Sequence, residues 1–167
     1  MYEIDGTGVL EDATNLRDMM SGVLERVEDV FQSYNVSLPQ KRYWMMGQPA
    51  IDCEQVVVSF LQMYLGTPGD QVGEPQRCHV PRSVTLTVSI SRQTAVVNQN
   101  GRPPSPDKIE QASNALAIDS WVLMESVNLL DQWDNTGYGL GVIATLDVAG
   151  PEGGFHTTNL TITMAVP

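Results

Sequence analysis

Between residues 83 and 92 the chain alternates without a break. Val84, Leu86, Val88 and Ile90 fall on one side, and Ser83, Thr85, Thr87, Ser89 and Ser91 on the other. A period of two fits a β-strand and no helix, because successive side chains leave opposite faces of a pleated sheet. One apolar face and one hydroxyl face place this strand in a sheet with one side in a core and the other wetted or covered by a partner. The rest of the chain has to supply a layer for the apolar side.

Two helical stripes do so. Leu16, Met20, Val23, Leu24, Val27, Val30, Phe31 and Tyr34 recur at spacings of three and four, which predicts a helix over 10–34. Glu11 and Asp12 sit near its start, where the helix dipole favours acids, and Pro39 closes the segment. Further on, Ser105-Pro106-Asp107 combines an N-cap, a first-turn proline and an acid, a strong start signal. Ile109, Ala112, Leu116, Leu123, Val127 and Leu130 carry a second helix to about residue 133, with Asn135-Thr136-Gly137 ending it. Asp119 interrupts that stripe, which implies a bend or a polar contact there.

Four more strand signals complete the pattern. Residues 41–47 include Tyr43 and Trp44 and stop at the turn-prone G-Q-P-A; residues 54–65 are rich in β-branched and aromatic types. Trp44, Met45 and Met46 read as core. Leu140, Val142, Ala144, Leu146 and Val148 share one face, as do Leu160, Ile162, Met164 and Val166, and A-G-P-E-G-G between them is a hairpin connection. The order αβββαββ predicts an α+β fold, a mostly antiparallel or mixed sheet covered by two helices on one face. The whole chain, 1–167, reads as one domain without internal repeats, with a single long loop at 66–82.

Composition narrows the function. Twenty acidic against nine basic residues give a formal net charge of -11. Such a chain gains nothing by neutralising phosphates, so reading or coating nucleic acid is disfavoured, whereas a surface past which DNA slides is not. No apolar run approaches the roughly 20 residues that span a bilayer. The acidic start M-Y-E-I-D-G-T-G-V-L-E-D lacks the basic flank and apolar centre of a signal peptide. The expectation is a protein of a reducing cytoplasm, in which the sequons at Asn35 and Asn159 are coincidental.

Chemistry-bearing residues are few. Cys53, Cys78, His79, His156 and Asp52 are the available soft-metal ligands, but no tight C-x-x-C or H-x-x-x-H pair occurs, and the adjacent Cys78-His79 cannot easily chelate one tetrahedral ion. A cysteine nucleophile would need His79 or His156 within reach and a third, orienting group, and neither cysteine sits in a recognisable nucleophile motif. Gly137-Tyr138-Gly139-Leu140-Gly141 precedes a strand rather than opening a helix, so it cannot cradle phosphate. The expectation is no catalytic residue, no metal and no cofactor. A loop of residues 66–82 is uncommon unless used. It is stiffened by Pro68, Pro75 and Pro81 and jointed by Gly66, Gly69 and Gly73. Thr67, Pro68, Gly69, Asp70, Gln71, Val72, Pro75, Gln76 and Arg77 are its candidate contacts to another subunit or a tube protein. The Ser/Thr faces of the hairpins offer further surface for burial against a neighbour. If strands two and three pair antiparallel, Cys53 lies at the far end from the loop holding Cys78. Two free thiols are then expected, with Cys53 largely buried at the sheet edge.

Asp52-Cys53-Glu54-Gln55-Val56-Val57-Val58, Tyr64-Leu65-Gly66-Thr67-Pro68-Gly69-Asp70, Pro75-Gln76-Arg77-Cys78 and Pro81-Arg82-Ser83 resemble a family of neck proteins from tailed siphophages infecting actinobacteria, the tail terminators or head-to-tail connector proteins. The likeness is clearest over residues 52–92 and extends through the second helix and last strands. It departs at Gln93, where relatives often carry a cysteine. The resemblance implies a tail-terminator-like fold and a homo-oligomeric ring, a hexamer. That ring caps the major tail tube protein and joins it to a head-side connector protein, in a virion assembled in the host cytoplasm. DNA would pass through without specific binding. No catalytic residues come with the family. A head-side connector or stopper of the same neck is the alternative, and a cytoplasmic thiol hydrolase using Cys53 or Cys78 is the alternative of another class.

Overall fold

The computed structural model describes residues 6–69, 82–97, 101–130 and 142–166. The elements are α1 (Gly6–Ser33), β1 (Lys41–Met46), β2 (Gln55–Leu65), β3 (Arg82–Gln93), α2 (Pro106–Leu130), β4 (Val142–Glu152) and β5 (Phe155–Val166). They form a five-stranded mixed sheet in the order β1-β2-β3-β5-β4. The expected αβββαββ order and the helix layer on one face are both present.

The apolar half of the alternation becomes the core. Val84, Leu86, Val88 and Ile90 of β3 are fully buried beside Val56 and Val58 of β2 and Leu160 and Ile162 of β5. Met20, Val23, Val27, Val30 and Phe31 of α1 and Val122 and Leu123 of α2 pack onto them. α1 lies over β1 and β2, and α2 over β5 and β4. The first helix begins at Gly6, earlier than its apolar stripe suggests, so Glu11 and Asp12 fall beyond its first turn. Its end is a Schellman motif. Asn35 takes a left-handed φ of 54°, the Val36 N–H bonds the Phe31 carbonyl at 2.9 Å, and the Asn35 N–H bonds that of Gln32 at 3.0 Å. Tyr34, past the last turn, is exposed rather than core. In α2 the Ser105 carbonyl accepts from the Lys108 and Ile109 N–H groups, as its start signal requires, but Ile109 itself is exposed.

The connections differ more from expectation. β2 pairs antiparallel with β3, as supposed, with Tyr64 opposite Ser83 and Gln55 opposite Ser91. β1, however, runs parallel to β2, Lys41 opposite Gln55 and Met46 opposite Phe60. A parallel neighbour cannot be reached by a hairpin. Residues 47–54 instead cross over the sheet on the side away from the helices, leaving β1 at Gly47, whose φ is 83°. Gln55 pins this crossover: its Nε2 donates to the Ala50 carbonyl at 2.7 Å while its Oε1 accepts from the Tyr43 hydroxyl at 3.1 Å. The crossover explains why three consecutive valines, Val56, Val57 and Val58, are all buried. Val57 points to the crossover side and the other two to the helices. At the far end of β2, Leu61 is an extra residue between the Phe60 and Gln62 pairings, so Met63 and Leu65 fall in register with helix-side positions of β3.

The β4–β5 hairpin turns only at Gly153-Gly154, with φ of 59° and 88° and Glu152 opposite Phe155. Positive φ at both central residues is the I′ geometry that matches strand twist. The preceding A-G-P-E belongs to β4, which is irregular between Ala149 and Glu152.

Candidate functional site

The hydroxyl face of β3 is largely closed within the chain. Ser83, Thr85, Ser89 and Ser91 are buried, although neither described helix covers that side. Their hydroxyls pair across the strand gap with β5: Thr85 with Thr163 at 3.0 Å, Thr87 with Thr161 at 3.4 Å, Ser89 with Asn159 at 2.8 Å and Ser91 with Thr157 at 3.2 Å. The crossover closes in from one side and β4 from the other. Between them remains a cleft of about 350 Å³ bordered by Pro49, Ile51, Leu61, Asp147 and Glu152. Ser59 lines it, and its buried Oγ finds no partner among the described residues. Asn159, the second sequon asparagine, is engaged by Ser89 and donates to Asp147 at 3.2 Å. The surface expected to receive a neighbour is therefore largely consumed within the chain.

Of the candidate loop, Thr67, Pro68 and Gly69 are described, and they are held by their own subunit. Ser83 Oγ donates to the Gly66 carbonyl at 2.6 Å, and Gly69, with a φ of 95°, comes so close to Ile143 that a Cβ there would lie 2.9 Å from its Cδ1. Asp70, Gln71, Val72, Pro75, Gln76 and Arg77, with Cys78 and His79, lie outside the described residues, as does the glycine-rich stretch 137–141.

Cys53 is half-buried, not largely buried, and precedes β2 rather than opening it. Its Sγ donates to Asp52 Oδ1 at 3.2 Å, and Lys41 Nζ meets the same oxygen at 3.1 Å. The lysine's hydrogen bond holds the Asp52 carboxyl below its ordinary value, and the carboxylate in turn raises Lys41. An acceptor carboxylate with an exposed lysine is a surface ion pair, and among the described residues no imidazole is bonded to this thiol. Among the described residues no three of His, Cys, Asp and Glu gather as a metal site.

At the other end of the sheet the interruption at Asp119 finds its partner. Arg92 Nε donates to Asp119 Oδ2 at 2.5 Å and Nη2 to Oδ1 at 2.8 Å, with a further bond from Nη2 to the Ser37 carbonyl. Burial pushes the Asp119 carboxyl up, and the two bonds from Arg92 oppose that rise. The same bonds outweigh burial at Arg92 and hold its guanidinium above its ordinary value. A second cleft, of about 380 Å³, opens here between α2 and the strand ends, lined by Glu54, Arg92, Lys108 and His156. Nδ1 of His156 is buried without a partner among the described residues. Charges of both signs meet here without a consistent preference for an anion or a cation.

The feature the sequence did not single out is apolar. On α2, Ile118, Trp121 and Met124 are 48, 68 and 40% exposed, on the side away from the buried Asp119, Val122 and Leu123. On β1, Trp44 and Met46 are exposed at 37 and 55%, contrary to their expected place in the core. Met63 and Leu65, three and five residues beyond Phe60, the partner of Met46, are exposed as well. β1 is the edge strand of the sheet, with no strand on its outer side, which is why its side chains stay partly open. The signal was present in the spacing: residues 118, 121 and 124 form a second stripe across the helix from the core stripe.

A scan of protein-family models gives no match to the chain, and a search of curated proteins gives none either. Among the described residues no helix is long and apolar enough to cross a membrane.

Proposed function

We propose that this chain is a structural subunit of a siphophage neck, the tail terminator, which closes into a ring on the tail tube and joins it to the head-side connector. The observation that carries the reading is the stretch from Asp52 to Arg92, whose motifs resemble that family and which forms the β2–β3 pair at the heart of an αβββαββ subunit with helices on one face. Two further features support it. Among the described residues the clefts gather no set of nucleophile, base and orienting group, which favours contact over catalysis. A net charge of -11 suits a ring through which DNA moves, because like charge within a Debye length of about 8 Å discourages sticking.

The partners are other copies of the chain, the major tail tube protein and the head-side connector protein. The place of action is the virion, after assembly in the host cytoplasm. The test is to fractionate tail-free heads and head-free tails from an infection lacking this chain, then add the purified protein to each. Binding to tails, with rings at the tube end in negative stain, is the expected result. Binding to heads alone moves the protein to the head-side connector or stopper position. Binding to neither, with the chain a monomer or dimer in averaged neck density, removes the proposal.

A further inference from the structure

We infer that the cleft on the hydroxyl face is a binding site for an elongated organic cation, an alkyl chain ending in an ammonium or guanidinium group. The inference goes beyond the neck reading and does not depend on it.

The floor of the cleft holds a row of hydroxyls across three strands. Ser59 on β2 lies opposite Thr87 on β3, which lies opposite Thr161 on β5. This row is the least satisfied part of the face. The Thr87–Thr161 contact, at 3.4 Å, is the longest of the four cross-strand pairs, and Ser59, 1% exposed, has a buried Oγ with no partner among the described residues. A buried hydroxyl left unpaired is unfavourable, and in native proteins such a group calls for water or a ligand to complete it. One step along the same face the hydrogen bonds run in a single direction. Ser89 donates to Asn159, and Asn159 donates to Asp147 Oδ2. The donors thus end on a carboxylate whose other oxygen has no bond among the described residues.

The walls select the ligand. Asp147 and Glu152 stand on the β4 side, Pro49 and Ile51 on the crossover side, and among the described residues no lysine, arginine or histidine lines the cleft. An anion would face two carboxylates there without a countercharge. A wholly apolar ligand would take water from the hydroxyl floor and return no hydrogen bond. A metal ion would want a third strong ligand, and among the described residues no three of His, Cys, Asp and Glu gather. An ammonium or guanidinium group carries only donors, which is what the free carboxylate oxygen accepts, and its alkyl stem can lie on Pro49 and Ile51. Length follows from the strand order. Two strands separate Ser59 from Asp147, so the two stand about 14 Å apart. A compact ion cannot reach both, whereas an extended arm can.

A free linear diamine and a lysine or arginine side chain of another protein carry the same chemistry, and the test separates them. Assigned amide resonances of the full chain are followed by NMR as four probes are added. These are acetyl-arginine amide, its uncharged isostere acetyl-citrulline amide, hexamethylenediamine, and a glycine-serine peptide carrying one arginine. Saturable shifts centred on Ser59, Thr87 and Asp147 are expected with the charged probes, and binding about tenfold weaker with citrulline. Asp147→Asn keeps an acceptor for Asn159 and should weaken the charged probes about tenfold at an unchanged thermal midpoint. Should that variant lower the midpoint, Glu152→Gln tests the same wall at an exposed position. Ser59→Ala should weaken binding several-fold without lowering the midpoint, and unchanged affinity there would overturn the reach to the hydroxyl row. Tighter binding of the diamine than of the peptide supports a free amine as the ligand, and the reverse supports a protein side chain. Citrulline binding as tightly as arginine, or no saturable shift from any charged probe at millimolar concentration, would overturn the cation site.

Discussion

Arg92 on β3 grips Asp119 on α2 through both carboxylate oxygens, and its Nη2 also donates to the Ser37 carbonyl between α1 and β1. One guanidinium thus ties the sheet, the second helix and the segment leaving the first. The side chain of Asp119 is 1% exposed, so the carboxylate depends on this partner for its charge.

Replacing Arg92 with methionine strands that carboxylate, and the expected loss is about 3–5 kcal/mol in urea unfolding. Arg92→Met with Asp119→Leu should recover much of it, because two apolar groups need no compensation. Arg92→Lys should recover little, since an ammonium cannot make both bonds in the fork geometry. The single variant also has a pH signature. Burial already raises the folded Asp119 carboxyl above 3.8, and without Arg92 less holds it down. A folded value above the unfolded one means the folded state binds the extra proton. The variant is therefore most stable below that unfolded value and loses stability as pH rises through the folded one. Its deficit against wild type should widen from acid to neutral pH, and a constant deficit would show that Asp119 is not the group left stranded.

The hydroxyl rows between β3 and β5 make a separate prediction. Thr85 and Thr163 share one hydrogen bond at 3.0 Å on a face that excludes most water. Thr85→Val or Thr163→Val alone should cost about 1 kcal/mol, because the surviving hydroxyl is left unpaired. The double variant should cost less than the sum of the two, and the cycle isolates the pair. Strict additivity would mean that each hydroxyl has another partner.

Much of this framework was legible in the sequence, and the reasons are local. Alternation over 83–92, the Ser105-Pro106-Asp107 start and the misplaced acid at Asp119 all declare themselves through neighbours in the chain. Strand direction does not. Nothing within residues 41–65 says that β1 and β2 run parallel, because that depends on where the 47–54 crossover lies, and Gln55 fixes it through contacts with Tyr43 and Ala50. Nor does composition tell an exposed tryptophan from a buried one. Trp44 and Met46 read as core because apolar residues usually are, but β1 is the edge strand of the sheet and leaves both partly open. The Ser/Thr face erred in the opposite direction. Hydroxyls pair with one another as readily as with water, so a polar face can be closed.

The β4–β5 turn gives a third prediction. Gly153 and Gly154 both have positive φ, where a Cβ strains the backbone. Gly154→Val should lower stability by about 1–2 kcal/mol, whereas Gly153→Asn, a residue that tolerates the left-handed region, should be close to neutral. The Cβ at Gly154 would meet Val96 at an ordinary 3.5 Å, so the cost expected there is conformational and not steric. Thermal midpoints of the two variants decide it, and equal effects would contradict the assigned turn.

The last prediction concerns the thiols. Gln55 lies opposite Ser91, and Leu65 opposite Arg82, so β2 runs its full length away from Cys53 before the chain enters residues 66–82. At about 3.3 Å per residue, the ten steps from Gln55 to Leu65 span roughly 33 Å. Cys78 is four residues before Arg82, which limits its reach from that end of the sheet to about 14 Å. A disulfide needs Cα atoms within roughly 7 Å, so the bridge cannot close without dismantling the β2–β3 register. Two free thiols are expected. Alkylation in denaturant without reductant should add two adducts to the intact mass, and in native buffer the thiol of Cys53, half-buried and bonded to Asp52, should react more slowly than in denaturant. A peptide linking Cys53 to Cys78 within one chain would mean that β2 and β3 do not pair as described.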